Sequence, residues 1–541
     1  MKILGVQIQS PHDAGVALLD GDRLVFAANE ERYDRVKMSG RFPEQSWNDC
    51  LRYTGTRPED IDLIIFVGNR PVDALKYLSN YKRKALAQRS VGKTFESEWW
   101  GFVYDPLRYS GLKPYRRYVR KHEQLYEKVK SEGYRAEVIC FPHHVTHGYA
   151  SYYTAGLDDP LILIVEGLGD DRTSSHMLLG PEGLKEVHAN VWPNSVGRFY
   201  GAVTKLLGFN DQRHGGKVTG LAAYGDPKRA YEFVAPLLRH EGEDLLTGPE
   251  VFRWTHEWKH LGKKIPPPLD RFSKEDIAAA FQQRLEDVVT AWAEFLVKKT
   301  GRRTVSLTGG VFANVKLNQR IHEIPGVEEV VVHPGMGDVG LAVGACFAGR
   351  EILARREGRV PPPLKLHDAY LGPDYSEAEM EAAIRAAGLP FERHENVEER
   401  IAQAIHSGKV VARFNGRMEW GPRALGNRSI LYHAGDRSVN DWLNEKLQRT
   451  EFMPFAPACT FEACERLFTN SAGAKYTAEF MTITFDCTPE MRERAPAAVH
   501  VDGTARPQLV REEVNPSFHR VIREYEKLSG FPVVINTSFN M

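Results

Sequence analysis

Two stretches of the chain repeat one pattern, and the repeat constrains the fold more than any other feature. Each reads as an apolar strand, a polar turn, a second apolar strand, a tight glycine turn and a third strand. The first runs from Ile3 to Glu30, with Gly21 in the turn Asp20-Gly21-Asp22. The second runs from Leu161 to Val191, with Gly180-Pro181-Glu182-Gly183 turning its hairpin. Glycine supplies the positive φ that tight hairpins need, so both read as antiparallel meanders. Recurrence about 160 residues apart predicts a duplicated half.

Length and composition narrow the class. At about 150 residues per domain, 541 residues predict three to four folding units. Hydrophobic residues at 42% and charged residues at 26% exclude a disordered or low-complexity chain. Lys plus Arg equals Asp plus Glu, 71 each, which excludes a wholly basic nucleic-acid coat but not a local basic face. Six cysteines with no CxxC pair exclude a zinc ribbon and a disulfide frame and point to a reducing compartment. The N-terminus enters the strand-like Ile3-Leu4-Gly5-Val6 with no signal-peptide architecture. Apolar stretches fall far short of the roughly 20 residues of a membrane span. The expectation is a soluble, cytoplasmic, multidomain α/β protein.

Between the meanders, residues 70–135 hold 16 Lys/Arg against 7 Asp/Glu. Such a stretch is a solvated helix face or a contact for an anionic or aromatic acceptor or nucleic acid. A helix is predicted over Lys274–Thr300. Strands follow at Thr304–Leu307, ending in Gly309-Gly310, and at Val330–His333, ending in Pro334-Gly335-Met336-Gly337-Asp338. Strands that end in glycine turns place ligands at the carboxyl edge of a sheet. Pro361-Pro362-Pro363 reads as a linker and Pro266-Pro267-Pro268 as a loop. A new unit begins near Tyr370. Its predicted helices are Ser376–Ala387 and Val397–Ser407, and its strands Val410–Phe414, Phe480–Phe485 and Val533–Asn536.

Four constellations could carry chemistry. His143 and His147 are four apart on a helix opened by Pro142, the spacing at which two imidazoles share one face. With Glu166 and Asp338, each at a strand end, they suit iron, manganese or zinc better than magnesium or calcium. Capping or core histidines are the competing reading. Gly167-Leu168-Gly169, Gly309-Gly310 and Gly215-Gly216-Lys217 with Gly220 resemble phosphate cradles, although neither Walker nor dinucleotide spacing is met. His12-Asp13, in the loop after the first strand, places a base near the expected cleft. In the last unit Arg423 and Arg428 stand beside Gly421 and Gly426, with Lys446, Arg449, His500, Arg506 and Asn536-Thr537-Ser538-Phe539-Asn540 beyond. Guanidinium forks with hydroxyl and amide donors suit a compact phosphate; surface salt bridges are the alternative.

Taken together, these motifs resemble the NodU/CmcH-type O-carbamoyltransferases over nearly the whole chain. The match runs through His12-Asp13-Ala14, Glu30-Glu31-Arg32, His143-His144-x-x-His147, Glu166-Gly-x-Gly-Asp170, Gly216-Lys217-x-x-Gly220 and Gly309-Gly310-Val311-x-x-Asn314. It continues through Gly337-Asp338-x-Gly340, Gly421-Pro-Arg-Ala-Leu-Gly426, Pro454-Phe-Ala-Pro457, Asp502-Gly-Thr-Ala-Arg506-Pro-Gln508 and Asn536-Thr-Ser-Phe-Asn540. The resemblance implies a duplicated TsaD-like domain of the actin, sugar-kinase and heat-shock-ATPase fold over residues 1–355. Its halves would be about 1–158 and 159–355, with the basic insertion at 70–135. A linker over 356–369 and an α/β YrdC-like domain over 370–541 would follow.

It implies further that the second domain forms carbamoyl-adenylate from ATP and carbamoyl phosphate, and that the first transfers the carbamoyl group to a small-molecule alcohol, using a divalent metal, usually iron. Magnesium would accompany the nucleotide. No membrane and no nucleic acid is implied as partner, and a homo-oligomer is compatible. Carried onto this chain, the metal ligands are His143, His147, Glu166 and Asp338, and the residues beside the acceptor His12 and Asp13. Gly167, Gly169, Lys217, Gly220, Gly309, Gly310 and Asn314 match adenylate-binding segments. Arg423, Arg428, Lys446, Arg449, Arg506, Ser538 and Asn540 match the carbamoyl-phosphate and nucleotide region. The chain departs from the family in three further ways. Glu166 stands where Asp is usual, Gly215 where an acidic residue is common, and Lys446 takes the place of a displaced lysine. The chain stops at Met541, so the second domain is expected to lack the family's usual tail. The alternatives are tRNA threonylcarbamoyl transfer and a non-catalytic, nucleotide-binding actin-like protein.

Overall fold

Strands Lys2–Gln7 (β1), Gly15–Asp20 (β2) and Arg23–Asn29 (β3) form an antiparallel meander, turned at Gly21 with φ 60°. Helix Glu44–Thr54 (α1) leads to Leu63–Val67 (β4), and helix Leu112–Ser131 (α2) to Glu137–Phe141 (β5); β4 and β5 extend the sheet in parallel from β1. Helix His143–Ala155 (α3) follows. The second half repeats the plan with Leu161–Gly169 (β6), Arg172–Gly180 (β7) and Gly183–Val191 (β8), followed by helices Val196–Leu206 (α4) and Gly215–Ala222 (α5). A hairpin of Leu238–Glu241 (β9) and Asp244–Thr247 (β10) precedes helix Lys274–Thr300 (α6). Thr304–Thr308 (β11), helix Val315–His322 (α7), Glu329–Val332 (β12) and helix Leu341–Arg356 (α8) complete it. The computed structural model describes residues 1–9, 11–68, 112–256, 264–438 and 453–539.

The two sheets have the same topology. The first runs β3-β2-β1-β4-β5 and the second β8-β7-β6-β11-β12. In both, the first three strands pair antiparallel and the last two add in parallel. The expected duplication is therefore present strand for strand. Uninterrupted apolar runs such as Leu63–Val67, buried throughout, are what a parallel strand covered on both faces requires.

Helices α3 and α8 pack against each other, α8 against β1 and β4, and α3 against β6 and β11. Close approach depends on glycine: a Cβ at Gly344 of α8 would overlap the Thr146 carbonyl of α3, and one at Gly5 of β1 would overlap the Ala342 carbonyl. α6 presents Phe281, Leu285, Trp292 and Leu296 to the core of the second half; it is opened by Ser273, whose Oγ accepts from Asp276 N, and closed by Gly301.

The chain divides into two compact units, Met1–Lys365 and Leu366–Met541. The proline segment is fastened to the first: Arg350 donates to the Pro362 carbonyl at 2.8 Å and Leu364 N to the Tyr153 carbonyl at 3.2 Å. The second unit carries helices Glu377–Ala386 (α9) and Val397–His406 (α10), and strands Val411–Phe414 (β13), Arg428–His433 (β14) and Ala456–Thr460 (β15). A two-stranded ribbon, Phe485–Asp486 (β16) with Thr504–Ala505 (β17), is followed by Gln508–Val510 (β18), helix Pro516–Ser529 (α11) and Val533–Ser538 (β19). The mixed sheet runs β13-β14-β19-β15-β18. Alternate residues serve opposite faces: Val534, Ala458 and Val510 join α10 and α11, whereas Ile535, Cys459 and Leu509 join the other core. The strand expected over Phe480–Phe485 is confined to Phe485–Asp486, because the chain turns at Met481, φ 56°.

The basic stretch lies largely outside the described residues. Within α2, Lys121 is buried and donates to the Ile8 carbonyl at 2.7 Å, and Lys128 is buried against Glu44, Asn48 and Glu132. These two cations hold the fold rather than face a partner. Among the described residues no helix is long and apolar enough to cross a membrane, and all six cysteines are free.

Substituting Gly344→Ala forces α3 and α8 apart. Stability of the first unit should fall by about 1–3 kcal/mol in denaturant unfolding; an unchanged midpoint would show that the contact tolerates a methyl group.

Candidate active site

Pro142 caps α3, and the helix then carries His143 and His147 on one face. Glu166 comes from β6, and Asp338 from the turn after β12. The sequence distance between them disappears in the fold. His143 Nε2 lies 3.2 Å from Glu166 Oε2 and 3.4 Å from Asp338 Oδ1; His147 Nε2 lies 3.7 and 3.6 Å from the same two oxygens. One ligand atom from each of the four residues falls within 4.8 Å of the others.

The surroundings settle which atoms face inward. Gln9 Oε1 lies 3.2 Å from His143 Nδ1, so it accepts that N–H and leaves the Nε2 lone pair toward the cluster. Both Nε2 atoms are buried, and despite the nearby carboxylates neither makes a well-aligned hydrogen bond among the described residues. Burial alone would lower the His143 pKa, but Asp338 and Glu166 outweigh it and hold the imidazole well above its ordinary value. Burial would raise both carboxyls, and His143 outweighs it to hold Glu166 and Asp338 well below theirs. The pocket therefore stabilises positive charge at its centre. Two imidazole nitrogens and two carboxylate oxygens fit a divalent transition ion.

The β1–β2 loop borders this cluster. His12 Nδ1 lies 2.9 Å from Asp13 Oδ2 and 3.7 Å from Asp338 Oδ2. With Nδ1–H given to Asp13, Nε2 is the basic nitrogen. Burial would lower the His12 pKa; the bond to Asp13 and the charge of Asp338 outweigh it and raise it. The two meander loops are tied across the halves: Gln9 Nε2 donates to Asp170 Oδ1 at 2.9 Å, and Asp170 Oδ2 accepts from His143 N at 2.7 Å. Asp13 and Asp170, at matching turns of the duplicated halves, both adopt φ near +57°, a strained backbone that clusters at functional sites.

The glycine segments divide. Gly167 and Gly169 lie within β6, not in a turn that opens a helix. A Cβ at Gly169 would overlap Glu166 and His143, so its missing side chain makes room for these two side chains. Gly309, φ 98°, ends β11, and a Cβ there would overlap the Val165 carbonyl, whereas Gly310 faces open space beside Gly337. Gly216 at the start of α5 is likewise open, Gly220 is buried, and Lys217 lies 5.8 Å over the Phe209 ring. Asn314 caps α7 through Leu317 N and exchanges bonds with Gln282, so its amide is committed to structure.

In the second unit the three C-terminal motifs converge on one loop. Asn536 Nδ2 donates to the Ala424 carbonyl at 3.1 Å and to Gln508 Oε1 at 2.6 Å, while Gln508 Nε2 donates to the Leu425 carbonyl at 2.7 Å. Glu419 Oε1 accepts three backbone N–H groups, from Leu425, Asn427 and Arg428, at 2.8–3.0 Å. The Arg428 guanidinium, expected on phosphate, donates instead to the carbonyls of Asn415, Gly416 and Asn427 and stacks 3.6 Å over Phe414. Arg423 lies on the same loop, and Ser538 pairs with Ser429 across β14 and β19. Lys446, Arg449 and Asn540 lie outside the described residues. Gln9, Asp170 and Glu419 were not among the expected site residues: Gln9 and Asp170 act through bonds across the fold, and Glu419 through the backbone of the loop that follows it, and no residue spacing announces either.

A two-half domain with this buried cluster, followed by a mixed α/β unit, defines the class, and comparison with known proteins gives the family. Residues 2–347 match the family described as carbamoyltransferase N-terminus and residues 402–541 that described as carbamoyltransferase C-terminus. The chain belongs to the carbamoyltransferase family. It is 34% identical to nodulation protein U of Sinorhizobium fredii over 100% of this chain and 94% of that one. It is 32% identical to nodulation protein U of Rhizobium tropici over 100% and 91% respectively. Among solved structures, full-length HypF in its phosphate- and nucleotide-bound form overlaps at TM-score 0.37 and 14% identity, covering 65% of this chain and 55% of that one. The chain thus spans little more than half the length of that structure.

Removing the Glu419 carboxylate leaves three buried N–H groups without their acceptor. Glu419→Ala should lower the stability of the second unit by about 3 kcal/mol, read by calorimetry; an unshifted transition would mean that water replaces it.

Proposed function

We propose that this protein is an ATP-dependent O-carbamoyltransferase: it makes carbamoyl-adenylate from ATP and carbamoyl phosphate and passes the carbamoyl group to a hydroxyl of a small molecule. The observation that carries the reading is the convergence of buried His143, His147 and Glu166 with half-buried Asp338 next to the His12–Asp13 pair. The set has the donor chemistry of a transition-ion site, and iron is the ion the resemblance implies. Bound there, it would supply Lewis acidity to charge developing on the carbamoyl or adenylate oxygens.

Carbamate is a poor electrophile, so a mixed anhydride with AMP is needed before an alcohol can attack. Water releases carbamate and phosphate from carbamoyl phosphate. A carbamate oxygen then attacks the α-phosphorus of ATP, and pyrophosphate leaves. We assign the phosphate contacts of this step to Arg423, Arg506 and Ser538. In the transfer step the acceptor oxygen attacks the carbamoyl carbon while His12 Nε2 takes its proton, and AMP leaves. Asp13 holds the imidazole in the required tautomer. Gly216, Gly310 and Lys217 are the adenylate contacts that the geometry favours, because both glycines face open space and Lys217 shares α5 with Gly216.

The test is incubation with ATP, carbamoyl phosphate and candidate alcohols, following pyrophosphate and the product mass gain. Removal of the base by His12→Ala should slow transfer about 10²–10⁴-fold while pyrophosphate release persists; equal loss of both would remove His12 from the transfer step. Arg423→Ala should abolish pyrophosphate release, and unaltered release would take Arg423 out of that site.

A further inference from the structure

Glu166 raises a geometrical question. A glutamate is one methylene longer than an aspartate, and its extra torsion gives the carboxylate more ways to miss the cluster. Two neighbours restrict it. His144, next to His143 on α3 and ~100° further round the helix, is fully buried and directs Nδ1 to Glu166 Oε1. Its other nitrogen, Nε2, lies 2.9 Å from Ser175 Oγ on β7. With Nδ1–H donated to the carboxylate, Nε2 accepts from the Ser175 hydroxyl, so the ring is fixed from both ends. On the other side Gly169 has no Cβ, and the space this leaves is where Glu166 Oε1 and the His143 ring lie.

We propose that His144 is a positioning residue for the metal centre. By engaging Oε1 it presents Oε2 to His143 and His147, which lets the longer carboxylate act as a one-oxygen ligand from the same strand position. The proposal rests on the reading that the cluster holds a divalent ion. It gives the middle histidine of the His-His-x-x-His run a task distinct from that of the outer two: His143 and His147 face the centre, and His144 faces the ligand. Ser175 and Gly169 complete the device, one by orienting the ring and the other by leaving room.

The test uses the full chain and cobalt(II), with stoichiometry and affinity read from the visible absorption band. Asparagine places an amide N–H where the His144 Nδ1–H is; glutamine places it where Nε2 is, toward Ser175. His144→Asn should retain the wild-type spectrum and most of the affinity, whereas His144→Gln should weaken binding about 10- to 100-fold and alter the band. In a Glu166→Ala background, adding His144→Gln should change nothing further, because the two act through one contact. Wild-type binding with equal affinities for His144→Asn and His144→Gln would overturn the proposal, as would an additive loss in the double variant. Absence of cobalt binding by the wild type, or undiminished binding by His143→Ala, would overturn the metal reading beneath it as well.

Discussion

The first unit depends on a buried charge pairing made between its halves. His143 and His147 belong to the helix that ends the first half, and Glu166 and Asp338 to strands and turns of the second. Two carboxylates taken out of water together repel each other and lose their hydration, which costs several kcal/mol per ion unless positive charge sits between them. Two imidazoles whose Nε2 atoms point inward answer that demand only in part. A cation placed among the four groups would answer the rest, and the packing of α3 against α8 fixes where the two histidines stand.

That constraint propagates outward in ordered steps. Gln9 and Asp170 are second neighbours of the cluster, yet each bonds to both His143 and the other. Together they lock the two meander turns, and the left-handed backbone at Asp13 and Asp170 is the local cost of aiming those turns at one point. Lys121, from a helix rich in basic residues, reaches the Ile8 carbonyl just before the same turn. Residues that look like solvent-facing charge in a list are parts of the frame on which His12 is held. The second unit obeys the same logic with different chemistry. There a single carboxylate, Glu419, gathers three backbone N–H groups and shapes the loop that carries Arg423.

Legibility in the sequence followed the range of the interactions. The duplicated meander was readable because strand, glycine turn and strand are local signals with period two, and α6 because its 27 residues carry a cap at each end. The four-residue spacing of His143 and His147 was readable for the same reason. Less was readable where the contacts that use a residue are set by the fold. Gly167-Leu168-Gly169 has the look of a phosphate turn, but Gly169 is small because Glu166 and His143 occupy the space beside it. Arg428 has the look of a phosphate fork, but its donors are spent on three carbonyls. The alternating apolar run over Phe480–Phe485 has the look of a strand, but its residues are buried by packing around a turn at Met481. In each case residue type was informative and the partner was not, because the fold and not the spacing decides which neighbour meets the side chain.

The division of labour between the arginines follows from these commitments. A guanidinium bonded to three carbonyls and stacked on an aromatic ring cannot turn toward a ligand without breaking the loop it holds. Arg428 therefore fixes the shape of the segment that also carries Arg423, the residue to which the phosphate contact is assigned in the proposed reaction. Rigidity matters for a phosphate site, since a fork held in place loses little freedom when the anion arrives. On that proposal two arginines five apart are no redundancy: Arg428 makes the geometry that Arg423 would use. The proposed metal centre of the other unit has the same relation: the His144 imidazole bonds the Glu166 carboxylate, and its neighbour His143 would share an ion with that carboxylate.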